Sequence, residues 1–460
     1  MEKMIKFLKN HRVLIFSAFA IFPLVSLASE GGHEGGFAAS LFWIVLIMIA
    51  AKISSLIEKF GQPAVLGELL IGVIIGNLSL LGWHFFEGLG HDSAVAFLAE
   101  LGVVILLFQI GLESNISTMK SVGWKAFMVA SIGVVVPFVL GTYLAGPLLM
   151  PGQDFNTYLF LGATLTATSV GITARVFKDL KKLQTPEAQI VLGAAVIDDV
   201  MGLVILAVVS ALVTAGGVSL GGVAAIVGKA VGFLAAAIII GQLAAPYLGK
   251  FFSKINSGSG MKLVLALSFG LFVAYLASLI GLAPIVGAFA AGLVLDSVHF
   301  KEFQEAKVIE ELRQEEGLEL SDKQKKSFHE HLDHHAKHHI EELIEPLGFF
   351  LVPIFFVMTG YGVKLDTLNN LPIILLSLGL TVAAFIGKIV AGLAAGKADK
   401  LIVGVGMIPR GEVGLIFAMM GRSLGVISDQ FFSAIVIMVI VSTLATPPLL
   451  SFLIKRQDRK

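Results

Sequence analysis

Asp198 and Asp199 stand side by side near the middle of an apolar stretch, residues 187–213. Lys388 lies in a second such stretch, 371–396, and Arg410 and Glu412 in a third, 400–421. Charge withdrawn from water is costly, so ionisable groups inside an apolar segment are functional candidates by default. Successive residues of a helix point about 100° apart, so the two aspartates cannot do the same job. One can face a water-filled cavity while the other faces a neighbouring helix and meets Lys388. Carboxylates paired out of water hold their protons more tightly than in solution. Such a pair can keep a proton at neutral pH and release it to a cation. Oxygen ligands suit a hard ion, and Thr168 and Ser169 add hydroxyls from the stretch 157–176. Asp198, Asp199, Thr168 and Ser169 together make a candidate Na⁺ site, and mutual exclusion of H⁺ and Na⁺ at one carboxylate would exchange them without an extra gate.

Two of the stretches are interrupted at their centres. One reads Thr164-Leu-Thr166-Ala-Thr168-Ser169-Val-Gly171, the other Met407-Ile-Pro409-Arg410-Gly411-Glu412-Val-Gly414. Proline, glycine and hydroxyl residues free backbone groups that a plain helix would pair. Arg410 and Glu412 are two apart and would not face each other on a regular helix, which favours a role in neutralising the ends of a broken one. Glu68, Glu100 and Glu113 lie in or at the ends of apolar stretches, where packing or helix-end roles are expected.

The elements that must position these residues are membrane helices. The chain has 460 residues, 56% apolar and 14% charged, with a mean hydropathy of +0.89. That excludes a soluble enzyme, a disordered tail and a nucleic-acid binder. The net charge is zero and there are no cysteines, so neither a global field nor a disulfide framework is available. Fifty glycines fit closely packed membrane helices. Lys3, Lys6, Lys9 and Arg12 precede an apolar run, Val13 to Val25, with small residues at Ser26 and Ala28, the pattern of a signal peptide over 1–28. Thirteen crossings follow: 37–58, 63–82, 94–113, 126–148, 157–176, 187–213, 223–249, 262–279, 282–298, 346–362, 371–396, 400–421 and 429–453. With the N-terminus outside, twenty-four Lys and Arg fall on the cytoplasmic side and only Lys364 and Arg422 outside, as the positive-inside rule requires.

Sequence echoes recur seven crossings apart. Pro63-Ala-Val-Leu-Gly67 is matched by Pro284-Ile-Val-Gly287, and the interrupted fifth crossing by the interrupted twelfth. An odd offset reverses direction, so crossings 1–6 and 8–13 read as inverted repeats joined by crossing 7, the pattern of secondary transporters. The hydrophilic segment 299–345 carries His329, His331, His334, His335, His338 and His339. A solvated cytoplasmic loop is the expected reading, with metal binding or pH sensing as the alternative.

Five motifs carry a family resemblance over 37–455. They are Phe108-Gln-Ile-Gly111-Leu-Glu113, Thr166-Ala-Thr168-Ser169-Val-Gly171-Ile-Thr173, Ile197-Asp198-Asp199, Gly387-Lys388 and Pro409-Arg410-Gly411-Glu412-Val-Gly414. The chain resembles the monovalent cation:proton antiporter-2 family, close to NapA-type bacterial sodium/proton antiporters. The resemblance implies an all-α polytopic fold with two crossed discontinuous helices, and a homodimer in the bacterial inner membrane. It implies dimerisation helices over 37–113 and 223–298, the latter including the linker helix. A mobile core over 126–213 and 371–453 would move like an elevator, with 346–362 between. By resemblance Asp199 binds the ion and a proton, Asp198 pairs with Lys388 to couple the proton, and Thr168 and Ser169 lie at the unwound site. Exchange of Na⁺ or Li⁺ for H⁺, electrogenic and with no cofactor, is the expected activity. K⁺/H⁺ exchange through the same residues is the alternative; Kef-type potassium relatives carry Gln-Asp in place of Asp-Asp, which favours sodium. An intramembrane aspartyl protease is a distant third, because it wants its two aspartates on different helices.

Overall fold

The computed structural model describes residues 34–60, 62–113, 123–214, 220–295, 303, 322–366 and 370–458. The signal segment 1–28 and the histidine side chains of 329–339 lie outside the described residues.

All regular structure among the described residues is helical. The first group of helices is α1 (Glu34–Ser54), α2 (Ala64–Gly76) and α3 (Ser93–Glu113). Next come α4 (Trp124–Val139), α5 (Phe155–Thr164), α6 (Val170–Asp179), α7 (Pro186–Thr214) and α8 (Leu220–Ser253). The second half has α9 (Ser259–Leu279), α10 (Pro284–Val294), α11 (Asp322–Tyr361) and α12 (Leu371–Ala391). It closes with α13 (Lys400–Gly406), α14 (Glu412–Ser423) and α15 (Asp429–Gln457). Nine helical stretches among the described residues are long and apolar enough to cross a membrane, and α2 and α10 are shorter apolar helices.

Two expected crossings are each split. Residues 165–169 separate α5 from α6, and 407–411 separate α13 from α14. The second break contains Pro409, which lacks a backbone donor and disfavours helix at the residue before it. The hydrophilic segment differs from its expected form. Its last part is helical, and α11 runs unbroken for 40 residues from Asp322 through the apolar crossing. Hydropathy marks only the apolar part of such a helix. The Lys, Gln and Glu that extend it are good helix formers but carry no membrane signal.

Two packing groups are evident. In one, α11 packs on α2, α3 and α1, and α10 packs on α3 and α9. In the other, α4 packs on α7 and α12, and α15 packs on α12 and α14. A central cluster joins them, with Leu69, Phe289 and Phe355 of the first group against Phe160, Leu206 and Phe417 of the second. Glycines set the closest approaches. A Cβ on Gly111 of α3 would run into the Phe289 carbonyl and Gly292 of α10, and one on Gly292 would strike the Phe108 carbonyl. The pair Gly72 and Gly360 does the same for α2 and α11. At the Pro186 end of the second group, buried Glu187 accepts the Asp399 backbone N–H at 2.9 Å and the Gln457 amide at 3.5 Å. Lys182 meets Asp458 beside them at 2.5 Å.

These contacts separate two kinds of glycine. Gly111→Ala should lower the thermal unfolding midpoint in detergent, since backbone must move, with overpacking typically costing about 1–3 kcal/mol. Gly232 on α8 has open space where its Cβ would be, so Gly232→Ala should be neutral or stabilising. Equal midpoints for the two variants would refute this packing account.

Candidate functional site

The two breaks lie against each other. The Ser169 backbone N–H donates to the Pro409 carbonyl at 2.8 Å, so the interrupted segments are joined by a backbone hydrogen bond. Hydroxyls of the first break and of α6 satisfy the end of α13: Thr168 donates to the Met407 carbonyl at 3.2 Å and Thr173 to the Gly406 carbonyl at 2.6 Å. Gly411 is where only hydrogen fits, because a Cβ there would stand 2.6 Å from the Ser169 Cβ.

Charge is distributed over these ends according to their polarity. A helix C-terminus presents unpaired carbonyls and partial negative charge, an N-terminus unpaired N–H groups and partial positive charge. The fully buried Arg410 guanidinium donates to the Ala167 carbonyl at 2.7 Å and to Thr166 at 3.4 Å, just past the C-terminus of α5. It also reaches the Ala384 carbonyl of α12 at 3.3 Å. Glu412 is the first residue of α14, and its carboxylate accepts the Ser169 hydroxyl at 3.4 Å next to the start of α6. The cation thus faces a carbonyl end and the anion the amide ends.

Beside the breaks runs α7. Lys388 of α12 donates to Asp198 at 2.7 Å, and both side chains are completely buried. The other Asp198 oxygen, Oδ2, has no hydrogen-bond partner among the described residues, and neither does Arg410 Nε. Asp199 is 9% exposed. It makes no hydrogen bond to a described residue, and the charged groups acting on it are Asp198, Glu412, Lys388 and Glu113. One turn along, a Cβ on Gly202 would stand in ordinary contact with the Thr166 hydroxyl and Phe417, so α7 passes close to both. Asp198, Asp199, Thr168, Ser169, Lys388, Arg410 and Glu412 are therefore gathered at one place.

Several contributors had no place in the motif reading. Thr443 of α15 donates to the Arg410 carbonyl at 2.7 Å, and the neighbouring Ser442 accepts the Arg410 N–H at 3.3 Å. Both backbone groups of the unwound arginine are thus held by one pair of side chains. The available signal was two adjacent hydroxyl residues within an apolar crossing. Glu113 is exposed, and with Gln109, Glu341, Glu342 and Glu345 it lines a cavity of about 190 Å³. Of this acidic lining, Glu113 is the member that acts electrostatically on Asp199.

Two further cavities border helices of the site. One of about 230 Å³ is bounded by Ser169, Gly411, Glu412 and Thr443 on one side and by Leu69, Leu106 and Phe356 on the other. A wider one, about 780 Å³, opens between α4 and α7 and reaches Leu192 and Val196. Its lining on α7 extends as far as Val196, one turn before Asp199.

The family model described as "Sodium/hydrogen exchanger, transmembrane" matches residues 43–319 and 330–456. The chain belongs to the sodium/hydrogen exchanger family. Among relatives of this exchanger, the high-affinity Na⁺/H⁺ antiporter NhaS3 of Synechocystis is 34% identical, with 93% of each chain covered. The Na⁺/H⁺-K⁺ antiporter GerN of Bacillus cereus is 32% identical over 91% of this chain and 97% of that one. The exchanger fold is also that of the sodium proton antiporter MjNhaP1 of Methanocaldococcus jannaschii, solved at pH 8. That match has a TM-score of 0.63 at 16% identity and covers 90% of this chain and 97% of the other.

The buried pair in this exchanger makes a stability prediction. Removing one partner of a buried ion pair strands the other and typically costs about 3–5 kcal/mol, whereas removing both can be nearly neutral. Lys388→Met should lower the unfolding midpoint, and adding Asp198→Asn should recover much of the loss. A double variant no more stable than Lys388→Met would contradict the pairing.

Proposed function

We propose that the chain is a secondary active transporter exchanging Na⁺ or Li⁺ for H⁺ across the bacterial inner membrane, electrogenically and by alternating access. The observation that carries this is Asp199: a nearly buried carboxylate without a hydrogen-bond donor among the described residues, beside a buried Asp198–Lys388 pair and two interrupted helices. Family membership and relatives named as Na⁺/H⁺ antiporters make it a transporter rather than an enzyme. Asp199 would hold either the cation or a proton, with oxygens of Thr168, Ser169 and the freed carbonyls completing a shell for a hard ion. Lys388 would release or take up a proton as its bond to Asp198 breaks and forms. Arg410 and Glu412 would hold the half-helix ends without taking part in exchange. The acidic row from Glu341 and Glu345 through Glu113 would draw cations toward the site.

The same reading includes thirteen crossings in two inverted repeats, an outside N-terminus, a homodimer, and a core of crossings 4–6 and 11–13. The repeat is supported by the packing. An offset of seven exchanges crossing 2 with 9 and crossing 3 with 10. The glycine-mediated contact of α2 with α11 thereby becomes that of α10 with α3. In the same way the packing of α4 on α7 becomes that of α12 on α15.

K⁺ is the second reading, favoured by the relative named for Na⁺/H⁺-K⁺ exchange. Purified protein in proteoliposomes, given Na⁺, Li⁺ or K⁺ at fixed voltage, separates the two by competition. Asp199→Asn should reduce cation-dependent proton movement to the level of empty vesicles; exchange retained in that variant defeats the assignment. Lys388→Ala should make exchange slow or electroneutral, and an unchanged response to voltage would count against its coupling role.

A further inference from the structure

The two basic residues that break the charge asymmetry of the sequence, Lys364 and Arg422, converge on one acid. Lys364 Nζ lies 2.6 Å from Asp429 Oδ2, and Arg422 lies 2.7 Å from Asp429 Oδ1. They do not belong to the same part of the fold. Arg422 and Asp429 flank the short turn between α14 and α15, and Arg422 also lies over the Phe432 ring, 4.9 Å from its centre. Lys364 belongs to the segment that follows α11. Its backbone N–H donates to Ser433 of α15 at 3.0 Å.

The segment around Lys364 is gripped from the other side. Asn77, at the end of α2, donates its amide to the Val363 carbonyl at 2.8 Å and accepts the Leu365 N–H at 2.8 Å. A further bond to the Val73 carbonyl, 2.8 Å, fixes the Asn77 side chain to its own helix. Residues 363–365 therefore carry two sets of bonds, one to the α2 and α11 group and one to the α14 and α15 group.

We propose that Lys364 is a releasable latch between the two packing groups, holding them together at this end in the conformation described here and letting go when α14 and α15 slide past α2 and α11. This rests on the alternating-access reading. Three features fit a contact that must break in every cycle. The Lys364–Asp429 pair is half-exposed, and exposed ion pairs are weak and screened by salt. The bonds from Asn77 are to backbone and better shielded, so sliding would break the Lys364 contacts first. Arg422 stays with Asp429 on the moving side, so the acid is never left without a cation when Lys364 departs.

The protein has no cysteine, so introduced pairs can be linked cleanly. The test uses full-length protein in proteoliposomes and a short bis-methanethiosulfonate linker, reversed by reductant. Linking Lys364→Cys to Ser433→Cys should abolish Na⁺-dependent proton exchange, and reduction should restore it. Linking Asn77→Cys to Val363→Cys should leave exchange within about twofold of the reduced protein. Lys364→Met should change the turnover rate without changing the Na⁺ concentration at half-maximal rate. Full exchange in the linked 364–433 protein overturns the latch, as does loss of exchange in the linked 77–363 protein alone. Absence of exchange in the reduced and cysteine-free proteins removes the exchanger reading together with it.

Discussion

Four half-helix ends meet inside a bundle with little water, and their partial charges must be answered there. Arg410 answers the C-terminal end of α5, hydroxyls of Thr168 and Thr173 that of α13, and Glu412 stands where α14 begins and α6 is near. The solution is unequal: one carbonyl end receives a full charge and the other two neutral donors. The arrangement is also fragile, because each group serves an end belonging to a different segment. A shift of either interrupted helix alters the surroundings of both, and α7 with its aspartates is packed against them.

The buried acid-base pair adds a second constraint. Asp198 and Lys388 satisfy each other only in part, since one carboxylate oxygen is left without a donor among the described residues. A pair that served only to hold helices together would gain from a second donor on that oxygen. The adjacent Asp199 has the opposite character, nearly buried yet with no hydrogen bond to a described residue. Two chemically identical neighbours on one helix thus have different surroundings, because 100° of rotation turns one toward Lys388 of α12 and the other away from it.

The legible part of this architecture was whatever violates the expectations of an apolar helix. The paired aspartates, Lys388, and the Pro409-Arg410-Gly411 interruption all stand out against lipid-compatible surroundings, and the structure gathers them at one locus. Thr443 and Ser442 escaped notice because a hydroxyl in a membrane helix commonly bonds to its own backbone. Thr446, one turn further on, does so. The helical part of 322–345 was hidden for the reverse reason: a polar helix continuing out of an apolar one has no hydropathy signal. The shortness of α2 was equally hidden, since Leu78, Leu80 and Leu81 keep the sequence apolar past the end of the helix at Gly76. Glu113 was read by position alone, and its neighbours Glu341 and Glu345 come from more than two hundred residues away.

The end of α15 is stitched to the second packing group through Gln457 on Glu187 and Asp458 on Lys182, and Glu187 at the same time holds the turn before α13. The last helical turn is thus a handle on that bundle rather than a loose tail. A probe attached there would travel with the bundle as a rigid rider. Paired with a marker on α1, it would convert any relative displacement of the two halves into a change in separation, with no label placed near the charged interior.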